Sequence, residues 1–293
     1  MARRHSRLAG RGAEGESPSV VPHRILRAAL GLIFAGWFSC GQSAGRAADS
    51  TALAEVFRRA DELDARQEVA AALKLLEEAN TKFPNHAEIL IRLAKQQSNQ
   101  IFIAKADAEK KRLAALCLAT AERAVVADTN SARARLSVGI CLAKNFPYVD
   151  NQTKVNYSRR LKEETERAIA LDPKLDLAYH MLARWHFEVA EMNFILRGIA
   201  KLVYGGIPKG TLEDARVNFE KALALAPKRI IHRHQLAQTL LALRKKPDAL
   251  AQLQHCLALT PADKDDAEAQ QAAAKQLREL GVATESKGLA GGQ

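Results

Sequence analysis

Residues 230–261, IIHRHQLAQTLLALRKKPDALAQLQHCLALTP, decide how this chain folds. A first helix carries Leu236, Ala237 and Leu240, in the order large, small, large. A second carries Ala249, Leu253 and Cys256, in the order small, large, small. Small residues let the two helices of a hairpin approach, and large ones fill the groove between them. Pro261 closes the unit, because proline cannot continue a helix and fixes the turn into the next one. The preceding unit closes at Pro227, 34 residues earlier.

The same frame recurs outward from this unit. Set back from Pro227 it puts Ala215, Phe219 and Ala222 on a second helix, and from Pro84 it puts Ala72, Leu76 and Ala79 there. After Pro173 it gives Tyr179, Leu182 and Ala183 on a first helix, and after Thr129 it gives Val138, Gly139 and Leu142. Five small-residue helices end alike, at Lys82-Phe83-Pro84, Ala127-Asp128-Thr129, Leu171-Asp172-Pro173, Leu225-Ala226-Pro227 and Leu259-Thr260-Pro261. A 34-residue helical hairpin is the tetratricopeptide unit. The expected fold is all-α, a tetratricopeptide-like solenoid of about four to five units.

Three spacings exceed the repeat, at 45, 44 and 54 residues. The frame holds on both sides of each, so the extra residues fall inside hairpins, at 96–111, 144–157 and 190–210. The first has no Pro or Gly and reads as helix extension. The second, with Asn145, Pro147, Asp150 and Asn151, reads as a loop. The third is apolar through residues 194–204 and breaks at Gly205-Gly206-Ile207-Pro208. Residues 267–280 read as the polar helix that must cap a solenoid, stopped by Gly281, and residues 282–293 as a disordered tail.

Residues 1–48 read as a signal segment. Arg24 and Arg27 precede an apolar run at 28–38, and small residues follow through Ser43-Ala44-Gly45-Arg46-Ala47-Ala48. Eleven apolar residues span roughly 16 Å as a helix, short of a bilayer core. Cleavage after Ala47 or Ala48 is expected, leaving a repeat domain at 49–281 in the periplasm or outside the cell. An uncleaved anchor, a transit peptide and a lipidated Cys40 are the alternatives. The segment holds seven Arg and two Glu, so the net charge of +11 falls to +6 in the remaining chain. With no recognition helix and no alternation of aromatic and basic residues, nucleic acid is not the expected partner.

No pattern for catalysis, metal or cofactor stands out. Cys117, Cys141 and Cys256 lack CxxC spacing and a nearby His pair. Cys256 takes a small core position. Cys117 and Cys141 fall on consecutive helices, where a bridge can form in an oxidising compartment or both can stay free. His232 and His234 are two apart, on opposite sides of one helix, and read as solvated or groove-lining. Glu163-Glu164 and Asp265-Asp266 read as solvated faces. No Ser/His/Asp set, H-E-x-x-H or phosphate-binding loop is present. The chain therefore reads as a binding scaffold, not an enzyme.

The first helices of the units line the concave side. Their inner positions give Arg133, Leu136, Ile140, Lys144, Leu177, His180, Arg184, Phe187, Glu188, His234 and Gln238. This apolar stripe with basic points suits an extended acidic peptide, or an anionic phospholipid whose phosphate meets Arg and Lys.

Finally, Ala178-Tyr179-His180-Met181-Leu182-Ala183-Arg184-Trp185, the apolar insertion, Gly206-Ile207-Pro208, and then Glu213-Asp214-Ala215, Phe219, Lys221-Ala222 and Pro227 resemble the regulator of microtubule dynamics family. The resemblance is clear over residues 161–261; earlier, only the repeat frame carries it. It implies a tetratricopeptide-like domain without enzymatic activity. Eukaryotic members associate with microtubules and spindle poles, and one tethers the mitochondrial outer membrane to the endoplasmic reticulum and transfers phospholipid. The resemblance thus adds microtubules as a partner in a eukaryotic setting, with a membrane-anchored or a cytoplasmic, cytoskeletal location. The chain departs from those members in lacking a long apolar anchor and a coiled-coil region.

Overall fold

The computed structural model describes residues 38–282. The chain forms two compact units, Met1–Asp49 and Ser50–Gln293. The described part of the first is helical throughout. The apolar run before residue 38 and the tail from 283 lie outside the described residues, so the signal-segment and disordered-tail expectations fall largely there. Cys40, Ala47 and Ala48 fall within the first helix.

Among the described residues there are twelve α-helices and one short 3-10 turn, with no strand. In order they are α1 (Phe38–Ala65), α2 (Val69–Lys82), α3 (Ala87–Ile103), α4 (Asp107–Ala127), α5 (Ala132–Asn145), α6 (Asn151–Leu171), α7 (Asp176–Glu191), α8 (Phe194–Tyr204), α9 (Leu212–Leu225), α10 (Ile230–Ala242), α11 (Lys246–Ala258) and α12 (Lys264–Glu279). The five expected endings terminate α2, α4, α6, α9 and α11, the second helices of successive hairpins. From α2 to α12 each helix packs on its chain neighbour, except that α7 pairs with α9 across the inserted α8. The fold is a tetratricopeptide-like solenoid.

The residues of the frame are the ones that pack. Ala72, Leu76, Ala215, Phe219, Ala222, Ala237, Ala249, Leu253 and Cys256 are fully buried, with Ala79, Leu236 and Leu240 nearly so. Tyr179 is half-buried. A small residue sets the helix spacing at Gly139 of α5, where a Cβ would stand 3.1 Å from Thr165 Oγ1 on α6. Four helices begin at a side-chain cap: Ser131 accepts from the Ala134 amide, Asp150 from Thr153, Thr211 from Asp214 and Asp263 from Asp266.

The first insertion lengthens both helices of its hairpin, α3 and α4, around a turn at 104–106. The second is only partly a loop. A 3-10 turn at Phe146–Tyr148 follows α5, and the Asp150 cap starts α6 at Asn151, so the latter half of the stretch is helix. The third contains α8, which ends where Gly205 and Gly206 take φ of +73° and +81°.

Two acidic pairs read as solvated faces are half in the core. Glu164 is buried and ion-paired to Arg135 at 3.1 Å. Asp266 is fully buried and accepts from the amides of Ile231 and Ala262, at 2.9 and 3.3 Å. It thereby holds α12 against the start of α10. The Asp263 cap also starts α12 three residues before the expected position, and Gly281 ends it with φ of +79°.

Cys117 on α4 and Cys141 on α5 are joined in a disulfide, with Cα atoms 5.7 Å apart. Both are buried in the core shared by α3, α4, α5, α6 and α7. Cys256 is the free buried cysteine among the described residues, and burial pushes its thiol up to about 12.

Candidate binding groove

The first helices α1, α3, α5, α7 and α10 alternate with the second helices, which brings their exposed side chains to a common face. At the N-terminal end, ion pairs knit this face. Asp61 and Asp64 of α1 meet Arg92 and Lys95 of α3, and Glu88 of α3 meets Arg133 of α5 at 2.8 Å. Arg133, expected in the groove lining, is exposed and shares Glu88 with Arg92. Arg184 on α7 is exposed and reaches Glu188 at 3.5 Å.

Lys144 is held differently. It is half-buried in the last turn of α5, with its ammonium 4.0 Å from the centre of the Phe102 ring at the end of α3. Among the described residues no carboxylate stands within salt-bridge distance of it. Burial, then the positive field of Arg184, holds its pKa below the ordinary lysine value. Lys264, at the start of α12, lies 5.7 Å from the same ring. Phe102 remains 63% exposed between the two ammoniums, with Ile103 beside it 54% exposed. Asp265 belongs to the same electrostatic neighbourhood. Its pKa is raised by burial, then by the nearby Asp263 carboxylate.

Lys264 pairs with Glu268 at 3.5 Å, so the arrangement offers apolar contact at an exposed ring beside one ammonium, Lys144, that has no direct ion-pair partner among the described residues. Leu177 is exposed, and Ile140, Phe187 and Gln238 are half-buried. Phe187 packs against the core of α7, α9, α10 and α11.

Three expected lining residues are buried instead. Leu136 packs with Ala168 and Ala178, filling the seam between hairpins. His234 is buried beside Gln238, and burial lowers its pKa. His180 is buried against Phe219 and bonded to His232, Nδ1 to Nδ1, at 2.9 Å. His232, read as solvated or groove-lining, is fully buried, and its Nε2 reaches Asp176 Oδ2 at 2.7 Å. These side chains are core because the frame turns their positions toward the next hairpin, not toward the concave space.

Sequence reasoning missed Phe102, Ile103 and Lys264. Phe102 and Ile103 lie in the first insertion, where the frame assigns no position, and Lys264 lies past the last unit. An apolar pair ending an extended helix, where a polar turn would be ordinary, was the available signal. Among the described residues no cluster of three His, Cys, Asp or Glu is placed to hold a metal ion.

The solenoid is similar to a tetratricopeptide-repeat protein from Thermus thermophilus, with a TM-score of 0.58 and 18% identity over 75% of this chain and 98% of that one. In sequence it is 26% identical over 210 residues to human regulator of microtubule dynamics protein 2, covering 71% of this chain and 51% of the relative. It is 31% identical over 174 residues to the Bos taurus regulator of microtubule dynamics protein 1, covering 59% and 54%. The chain spans about half the length of these relatives. The sequence model of regulator of microtubule dynamics protein 1-3 matches residues 56–281, nearly the whole solenoid, and the chain belongs to that family.

Proposed function

We propose that the protein is a non-enzymatic scaffold that takes an extended, acidic–apolar segment of a protein partner into the inner face of its solenoid. The observation that carries this reading is Phe102, exposed between the ammoniums of Lys144 and Lys264. Covering such a ring is worth about 1.5–3 kcal/mol. A partner carboxylate would give Lys144 a direct ion pair, where Asp265 and Glu268 act on it only at longer range. Arg184, Leu177 and Phe187 extend the same surface.

We place the protein in an oxidising compartment, exported by residues 1–48. The buried Cys117–Cys141 bridge supports this, since such bridges persist outside the reducing cytosol. The relatives' names speak of microtubules; for this chain, co-sedimentation with tubulin polymer is the corresponding test.

A photo-crosslinking amino acid at position 102, expressed in the native host, tests the groove. Val126, 81% exposed on a second helix, is the control position. Protein adducts at 102, absent at 126 and lost on Lys144→Glu, are expected. Equal adducts at both positions, or none at 102, would sink the groove reading.

A further inference from the structure

Behind α8 lies a cavity of about 470 Å³, a volume within the roughly 300–1,000 Å³ of small-molecule sites. Ile199, Leu202 and Val203 share the outward side of the helix and are exposed. Arg197 and Lys201, one turn apart, lie on the other side and line the cavity. The returning loop forms the facing wall and brings Lys209 to it. Val189, Met192 and Ile207 give the cavity its apolar surface.

The walls are held in place from both ends. Arg197 donates to the carbonyls of Val189, Ala190 and Met192 at the end of α7, at 2.6 to 3.2 Å. At the other end Arg159 of α6 donates to Tyr204 O at 2.6 Å and to Gly206 O at 2.9 Å. The loop is pressed onto α7 at Gly210, where a Cβ would stand 2.8 Å from Val189 Cβ. Gly198, which also lines the cavity, is a different case. A Cβ there would meet nothing within 4 Å, so packing does not call for a glycine. A glycine inside a helix costs about 1 kcal/mol against alanine. What it does here is leave the cavity open beside Arg197 and Lys201.

The charge of the lining has one sign. From Met192 to Leu212 there are three cations, Arg197, Lys201 and Lys209, and no acidic residue. Among the described residues no carboxylate lies within ion-pair distance of any of the three. Arg197 is committed to the α7 carbonyls, so Lys201 and Lys209, both exposed, carry the available charge. A phosphate monoester, with a charge of about −1.5 to −2 at pH 7, matches two free ammoniums.

We propose that this cavity binds a phosphate monoester with a compact apolar body, its phosphate held by Lys201 and Lys209 and its body against Val189, Met192 and Ile207. The site is separate from the groove around Phe102 and does not depend on that reading.

Isothermal titration calorimetry of the full chain with phenyl phosphate, inorganic phosphate and phenol tests the site. Phenyl phosphate binds once per chain, about tenfold or more tighter than either of the other two, each of which lacks one half of the ligand. Lys201→Glu with Lys209→Glu weakens this binding about tenfold or more. Gly198→Leu fills the cavity and abolishes it, while Gly198→Ala and Phe102→Ala leave it in place. Circular dichroism melts confirm that the variants stay folded. Competition by vesicles containing phosphatidic acid identifies a lipid headgroup as the source of the phosphate, and lack of competition identifies a free ester. A Kd for phenyl phosphate weaker than about 1 mM overturns the proposal. Equal affinity for inorganic phosphate, or binding that survives Gly198→Leu, overturns it as well, because the lysines then act as surface charge outside the cavity.

Discussion

His232 joins α10 to α7 through one buried polar line. Its Nε2 faces Asp176 at the start of α7, and its Nδ1 faces His180 one turn further along. With Asp176 ionised, Nε2 carries a proton, and the two Nδ1 atoms share the next. Burial is the largest influence on Asp176 and works against its ionisation, but the hydrogen bond and charge of His232, the Leu177 amide and the field of Arg229 together outweigh it, and the carboxyl is held below its usual value. Burial, then the positive field of His232, drives His180 well below 6.5, and burial also lowers His186 and His234. A histidine whose pKa falls on folding binds more protons when unfolded. Its contribution is therefore complete above about pH 6.5 and shrinks as pH falls below that value. Each histidine kept neutral adds a slope of about 1.4 kcal/mol per pH unit. Urea midpoints should fall steeply between pH 7 and 5, and His180→Gln, which keeps a donor for His232, should flatten the slope. An unchanged slope in that variant would assign the acid sensitivity elsewhere. None of this line was legible in the sequence. Asp176 and His180 lie on one helix and His232 on another more than fifty residues later, and no local pattern joins them.

At the scale of elements, the repeat frame was legible because it is a local rule. Ala249, Leu253 and Cys256 face their own hairpin whatever the rest of the chain does. The cysteine bridge was half legible: consecutive helices allowed it, but only the packing of α4 on α5 aligns Cys117 with Cys141. Closing a loop of this length contributes about 3.5 kcal/mol by restricting the unfolded chain. Cys117→Ala with Cys141→Ala should lower stability to urea by about that amount, and reductant should then have no further effect. If the parent protein is equally stable with and without reductant, the bridge does not form. The third insertion was legible as apolar, but its facing was not. The orientation of α8 depends on Arg159, which lies on α6 and is far from it in sequence. Arg159→Ala should raise amide exchange over residues 197–206 while leaving the melting temperature within a few degrees, since few core contacts depend on α8. Unaltered exchange would mean that Arg159 does not secure this segment.

At the scale of the whole solenoid, the property hardest to read from sequence is curvature. It brings Lys264, the first residue of the cap, to the ring of Phe102 in the second hairpin. That approach sums small rotations at each hairpin interface, and no single residue encodes it. The cap therefore has two roles. Ala269, Ala273 and Leu277 cover Ile230, Leu253 and Cys256, and Asp266 satisfies the Ile231 amide at the start of α10. Solenoid units lean on their neighbours, so damage at one end should fade along the array. Ending the chain after Asp263 removes the cover from Ile230 and Leu253. Amide protection should then drop most in α10 and α11, less in α7 and α9, and least in α3 to α5. A uniform drop in hydrogen exchange would instead mean that the array unfolds as one block. Asp266→Asn is the milder form of the same lesion, because it keeps the shape but removes the charge that bonds the Ile231 amide and faces Arg229 at 3.5 Å. It should cost about 1.5–3 kcal/mol and perturb α10 before any other helix.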